Sequence, residues 1–366
     1  MTPRRPPPRD NRLLLAMPYH QLIGKAADAG FGVWSLWDPR APEADLLPEV
    51  AEASRELLHA GFADPAGLRS LVARTARRHG IGTVLHCGGG PSLLPVAEEA
   101  WRLGLSPNPP DVFRRLGSVG EPDAPGPRLT VQTLTVDGCH QVVGTAAHRV
   151  SDPPGRTLTG YLCPAPLSDR QEAAVGALVR RVLHTSGYRF GPAHTEVALT
   201  PEGPRVVRCR PRFGPDRIPL LIQVATAFDC EAALFGALLG DLPQALPARQ
   251  YAEIGFFRLP EGRLLTFAGT EDIAVTPWVR GARFPYAVRD LIPPATDPRS
   301  RRAYVVVEGG SPECTGERLR QARADLVTDI RPEAETHETH EIHEIHEQHG
   351  SPLGQHGSSW EQHGSS

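Results

Sequence analysis

The chain has 366 residues, with 39 Lys and Arg against 42 Asp and Glu and a formal net charge of −3. That length predicts two or more domains with an ample core, and the near balance of charge gives no basis for a nucleic acid or a membrane surface as partner. No apolar run approaches the ~18 residues of a spanning helix. The basic start Arg4-Arg5-Pro6-Pro7-Pro8-Arg9 precedes too short an apolar stretch for a signal peptide, so a cytoplasmic protein is expected.

Residues 1–11 are rich in Pro and Arg and read as disordered. Leu13–Ala16 reads as a short buried strand and His20–Gly30 as a helix closed by Gly30. Phe31–Asp38 follows as a second strand, Leu68–Gly80 as an Arg-rich amphipathic helix, Thr83–Leu85 as a third strand and Leu93–Leu103 as a third helix. This alternation predicts a parallel α/β layer, an N-terminal domain over residues 12–106.

Residues 107–128 read as a Pro-rich linker with a helical piece at Phe113–Leu116. Arg128–Val136 and Gln141–His148 then form a hairpin about Asp137-Gly138. Asp169–Gly187 is a helix with Val175, Leu178, Val179, Val182 and Leu183 on one face. A second hairpin pairs His194–Leu199 with Pro204–Arg210. Arg217–Leu239 reads as a helix interrupted near Asp229, Glu253–Leu259 and Ala303–Glu308 as strands, and Cys314–Ile330 as a final helix. The mixture predicts an α+β second domain over residues 129–330. The remainder, 331–366, is a tail rich in His, Glu, Gly and Ser without a core-forming pattern, expected to be disordered. His337, His340, His343 and His346 would align to take Zn²⁺ or Ni²⁺ if that tail became helical. The plainer reading is a solvated repeat with incidental metal affinity.

The six cysteines stand singly, at 87, 139, 163, 209, 230 and 314, which suggests neither a disulfide framework nor a zinc knuckle. Lys25 is the only lysine. The stretch His86–Ser92, with three successive glycines, is either a tight turn at the C-terminal edge of the sheet or a turn whose N–H groups face a phosphate. The run "VVRCRPRFG" places Arg208, Arg210 and Arg212 at alternate positions. Such a strand is either a charged edge that resists pairing or an anion site, since guanidinium forks match carboxylate and phosphate.

In order, Gly191-Pro192-Ala193-His194-Thr195-Glu196, Thr200-Pro201-Glu202-Gly203-Pro204, and Val206-Val207 followed by Pro211-Arg212 and Gly214 resemble the metal-binding hairpin of ATP-grasp enzymes, most of all their carboxylate–amine (amino-acid) ligase branch. Leu13–Asp38, Gly80–Leu105, Leu129–Val150, Phe256–Gly269 and Tyr304–Gly310 are similar to the flanking elements of that family. The resemblance implies a pre-ATP-grasp parallel α/β domain before an ATP-grasp domain, with ATP and Mg²⁺ as cofactors. It makes Glu196 the metal ligand and Arg212 the catalytic anchor for phosphate or substrate carboxylate. Arg208, Arg210, Arg212 and Gly214 become the residues facing the nucleotide or substrate.

The departures are specific. The family uses two phosphate-binding lysines, which a chain with Lys25 alone does not have in those places. Only residues 117–128 lie where the family carries its ATP lid, so the catalytic domain reads as truncated. Arg208 and Arg210 stand where a Glu and an Asn would ligate metal, and Pro215 replaces a glycine. Mg²⁺ requires oxygen ligands, whereas arginine offers only donors. The arginines therefore either replace the charge of the metal, or Arg208 pairs with Glu196 and fills its vacancy. The expectation is a degenerate ATP-grasp protein acting as an anion-binding or partner-binding pseudoenzyme. Its ligand would be a nucleotide, a carboxylate or a protein, and a homodimer is left open. The alternatives are an active ligase with a minimal lid and arginine-assisted ATP binding, and metal buffering by the tail.

Overall fold

A computed structural model describes residues 11–41, 46–151, 157–294 and 297–332. The disorder expected over residues 1–10 and over the His-rich tail from 333 onward lies outside this range. In the first part of the chain β1 (Arg12–Ala16), α1 (His20–Asp28), β2 (Gly32–Trp37), α2 (Leu47–Ala53), β3 (Glu56–His59), α3 (Pro65–His79), β4 (Thr83–His86) and α4 (Leu93–Arg102) alternate, α2 and β3 being additions to the three strands and three helices expected. The four strands pair in parallel in the order β3-β2-β1-β4. β1 is central, and Leu13, Leu14, Leu15 and Ala16 are all fully buried. Leu13 and Leu15 join the apolar layer on one face, Leu14 and Ala16 that on the other, as the period of two requires for a strand covered on both sides. Gly80 closes α3 in the left-handed conformation, with φ at 61°.

The second part begins with α5 (Pro110–Gly117), then β5 (Arg128–Val136), β6 (Cys139–Val150), β7 (Leu158–Cys163), α6 (Asp169–Ser186), β8 (Gly191–Thr200) and β9 (Gly203–Arg210). It continues with α7 (Ile218–Thr226), α8 (Cys230–Leu239), β10 (Tyr251–Phe256), β11 (Gly262–Ala268), α9 (Thr270–Val275), β12 (Val279–Arg283), β13 (Leu291–Ile292), β14 (Tyr304–Gly309), α10 (Pro312–Asp325) and β15 (Val327–Arg331). Eight strands form one antiparallel sheet, β12-β14-β10-β7-β6-β5-β8-β9, and β13-β11-β15 form a small second one. Helices α5 and α6 cover one face of the large sheet at its β5–β8–β9 end. Helix α7 packs on the opposite face, over β6, β7 and β10. The architecture is the expected one, a parallel α/β layer followed by an α+β sheet domain.

Two sequence expectations need correction. The final helix stops at Asp325 rather than Ile330, because Val327, Thr328 and Ile330 pair as a strand with β11. The strand expected to reach Leu259 ends at Phe256. The segment 217–239 is interrupted before α8 as expected, forming two helices bent by 91°. Ala227 takes a left-handed φ of 62° between them, and Asp229 accepts from the Ala232 N–H to start α8. No single helix among the described residues is long and apolar enough to cross a membrane. The change of sheet near residue 106 is not a break in packing. One apolar cluster contains Leu13 and Leu15 of β1, Leu134 of β5, Val143 of β6, and Leu234 and Phe235 of α8.

Candidate functional site

The site is built on the β8–β9 hairpin. Its register sets Glu196 opposite Arg208 and His194 opposite Arg210, with a bulge just after Glu196. Alternation divides the side chains. Ala193, Thr195, Val197 and Cys209 are buried on the face covered by α5 and α6. The intervening His194, Glu196, Arg208 and Arg210 line a cleft of about 510 Å³ on the other face. The sheet extends that wall: His148 of β6 lies opposite Tyr161 of β7, their rings edge-to-face at 5.0 Å. Arg128, Arg212, Asp216 and Arg301 complete its polar surface, with Val150, Leu158 and Pro215 beside them.

Glu196 is the best-held group. Arg208 Nη2 lies 2.5 Å from its Oε1 and His194 Nε2 3.6 Å away. Burial works to raise its pKa, but His194 and Arg208 overcome burial and hold it at about 2. Asp216 accepts from Tyr161 Oη at 3.2 Å and from Arg301 at 3.3 Å. Asp216 and Arg217 are consecutive non-glycine residues with left-handed φ, 56° and 66°, a strained pair at the cleft edge.

The other arginines are treated differently. The five arginines of the cleft face only two carboxylates, and Arg208 and Arg301 take those two. Arg128 donates to the carbonyls of Pro122 and Ala124. Arg210 is exposed, and neither it nor Arg212 makes an ion pair with a described residue. Burial, then Arg210 and Arg208, lower the pKa of Arg212. Its Nε is buried without a partner, as are His194 Nδ1 and His148 Nε2 in the same wall. Each such atom costs about 1–3 kcal/mol if left unmet. Burial pushes His148 down to about 4 and also lowers His194, so both imidazoles are neutral near pH 7.

Gly214 contributes by close approach rather than by an open amide. Its N–H donates to Gln132 Oε1 at 2.8 Å, and a Cβ there would stand 2.9 Å from both His194 Nδ1 and Ile218 Cβ. The Gly-rich turn after β4 does not line the cleft. His86, bonded to Ser92 at 2.9 Å, lines with Cys87 and Arg212 a separate cavity of about 40 Å³. Arg212 thus stands between that turn and the cleft. Lys25 is held elsewhere, 2.5 Å from Asp229 of the α8 start.

A metal at Glu196 would need further oxygen donors beside it. Among the described residues no group of three or more His, Cys, Asp or Glu is arranged to hold an ion. Glu196 is already closed onto a guanidinium, and the facing strand supplies Arg208 and Arg210, donors only. These residues do not fit Mg²⁺, which takes an octahedron of oxygens. Sequence reasoning brought Glu196, Arg208, Arg210 and Arg212 to one site and missed His148, Tyr161, Asp216 and Arg301. The alternation in β6 offered a signal for His148.

No family model matches the chain. A curated relative, "Uncharacterized protein y4rH" from Sinorhizobium fredii, is 31% identical over 111 residues; these are 28% of this chain and 23% of the relative, so the match spans about a quarter of its length. Among solved structures, the L-amino acid ligase from Bacillus licheniformis superposes with a TM-score of 0.75 at 16% identity, over 88% of this chain and 99% of that one. Phosphoribosylglycinamide synthetase from Anaerococcus prevotii gives 0.75 at 10% identity, over 88% and 100%. A biotin carboxylase–ATP complex from Campylobacter jejuni gives 0.64 at 10% identity, over 88% and 93%. Hairpin, sheet order and these superpositions agree that the chain has an ATP-grasp-like fold.

Proposed function

We propose that this chain is a pseudoenzyme of the carboxylate–amine ligase type: it binds a small anion through arginines and has no ligase turnover of its own. One observation carries the reading. Glu196, the residue aligned with a metal ligand, is closed onto Arg208 at 2.5 Å, while Arg210 beside it has no anionic partner among the described residues. A divalent cation placed there would sit against fixed positive charge.

Phosphoryl transfer rests on metal and cationic groups bridging the phosphates and on exclusion of water. Here the single lysine is committed to Asp229. Only residues 118–127 connect α5 to β5, and they are pinned to the outer hairpin, with the Glu121 N–H donating to the Val206 carbonyl. Arg212 and its neighbours keep the half of an anchoring site that grips oxygen anions. In this reading Arg210 and Arg212 bind the anion, Gly214 lets the turn approach His194, and Glu196 holds Arg208 in place.

The test combines turnover and binding. The full chain is incubated with ATP, Mg²⁺ and a panel of amino acids, and thermal unfolding is followed with a panel of anions. The expected result is no ADP above the protein-free control and a raised Tm with at least one anion. An anion at a hundred times its Kd adds ~2.7 kcal/mol. ADP release that depends on an amino-acid pair sinks the proposal, and so does a Tm that no anion moves.

A further inference from the structure

We infer that the cleft takes a free organic phosphate carrying two or more negative charges, not complexed to a divalent cation, and that Mg²⁺ therefore weakens binding instead of supporting it. This inference rests on the anion-binding reading above and adds the class of ligand.

Charge sets the first limit. After the pairs Arg208–Glu196 and Arg301–Asp216, Arg128, Arg210 and Arg212 line the cleft without a carboxylate among the described residues, Arg128 donating to two backbone carbonyls. His148 and His194, held neutral by burial, contribute no further cation at pH 7. A monocarboxylate offers one charge and two oxygens, enough for one guanidinium fork. A phosphate monoester offers about −1.5 to −2 and three strong acceptor oxygens, which matches the surplus. The like-charge crowding of Arg212 by Arg210 and Arg208 is relieved by a dianion between them and only partly by a monoanion.

Size sets the second. A cleft of about 510 Å³ falls in the range of roughly 300–1,000 Å³ typical of organic ligands and leaves most of its space beyond a bare phosphate. Val150, Leu158, Pro215 and the Tyr161 ring line it beside the arginines, a surface for an uncharged body. Metal sets the third. Mg²⁺ bound to a phosphate removes two charges and occupies the oxygens that the guanidiniums would grip, and it brings a cation against Arg208 and Arg210. In an ordinary ATP-grasp site the ion joins carboxylate to phosphate; here the matching protein group is a donor.

The experiment is calorimetric titration of the full chain with ADP, ribose 5-phosphate and glutamate, each in EDTA and in excess Mg²⁺. Both phosphates are expected to bind in EDTA, glutamate at least about tenfold more weakly, and Mg²⁺ to weaken ADP binding by about tenfold or more. Arg210→Ala, at an exposed strand position, should keep the wild-type Tm and lose about tenfold or more in ADP affinity. Arg212→Lys, which keeps the charge and loses the fork, should also bind more weakly. Tighter ADP binding in Mg²⁺, or wild-type affinity in both variants, overturns the inference. Glutamate binding without phosphate binding overturns it while leaving the anion reading intact. Absence of binding by all three probes overturns both.

Discussion

Charged groups are handled in opposite ways in two regions of the molecule. At the seam between α1 and α8, Lys25, Asp229 and Glu231 each have a partner: Lys25 meets Asp229 at 2.5 Å, Asp229 also accepts from Gln223 and caps α8, and Tyr19 donates to the half-buried Glu231. In the cleft the arginines outnumber the carboxylates, and three buried polar atoms on its wall lack partners. Complete pairing marks a scaffold whose charges hold chain segments together. Surplus charge of one sign, kept in place at a cost in stability, marks a surface shaped for something absent from the chain itself. The Glu196–Arg208 pair belongs to both, because it is satisfied like the seam yet forms the wall of the cleft.

The largest effect expected from breaking this contrast lies at the seam. Asp229→Ala removes a helix cap and leaves Lys25 without its partner, and should cost about 2–4 kcal/mol in denaturant unfolding. Anion affinity of the folded protein should not change. A loss below about 0.5 kcal/mol would show that the seam pairing is incidental.

Glu196→Gln comes next, at on the order of 2 kcal/mol near pH 7, discounted because the Arg208 side chain is 53% exposed. The sign follows from the carboxyl held at about 2 in the folded chain and ordinary in the unfolded one. The unfolded state binds the proton first, so this stabilisation is present above about pH 5 and disappears as pH falls toward 2. The variant should flatten that limb of the stability profile, and freeing Arg208 should strengthen anion binding a few-fold. An unchanged acid limb contradicts the pairing. His148, held at about 4, adds a loss of the same direction that starts below about 6.5.

Gly214→Ala is expected to cost about 1–2 kcal/mol, since its Cβ would press on His194 and Ile218. A neutral result by thermal unfolding would show that the turn relaxes. Arg210→Ala should be smallest in stability, within about 0.5 kcal/mol, because the side chain is exposed and anchors no ion pair among the described residues. Large in binding and negligible in stability, it is the reverse of Asp229→Ala.

Much of this arrangement was legible in the sequence because local chemistry determines it. The αL glycines Gly80 and Gly187 close α3 and α6. The register of the hairpin follows from the turn at 200–203, and with it the meeting of Glu196 and Arg208. What stayed hidden depends on strand order. Arg301 reaches Asp216 from 85 residues away, and His148 and Tyr161 join the wall only because β6 and β7 follow β5 in the sheet. No local periodicity encodes that adjacency. The strand Val327–Arg331 escaped because its pairing partner β11, rather than its own pattern, ends the helix before it.

In the proposed reading arginine side chains occupy the place of a metal. Mn²⁺ as a paramagnetic substitute for Mg²⁺ tests it most directly, by electron paramagnetic resonance on the full chain and on Glu196→Gln, each with and without ADP. The same bound-Mn²⁺ signal is expected for both proteins in either condition. A Mn²⁺ signal that requires ADP in the wild-type chain and is lost in Glu196→Gln would contradict it, because Glu196 would then hold a metal that Arg208 and Arg210 are argued to replace.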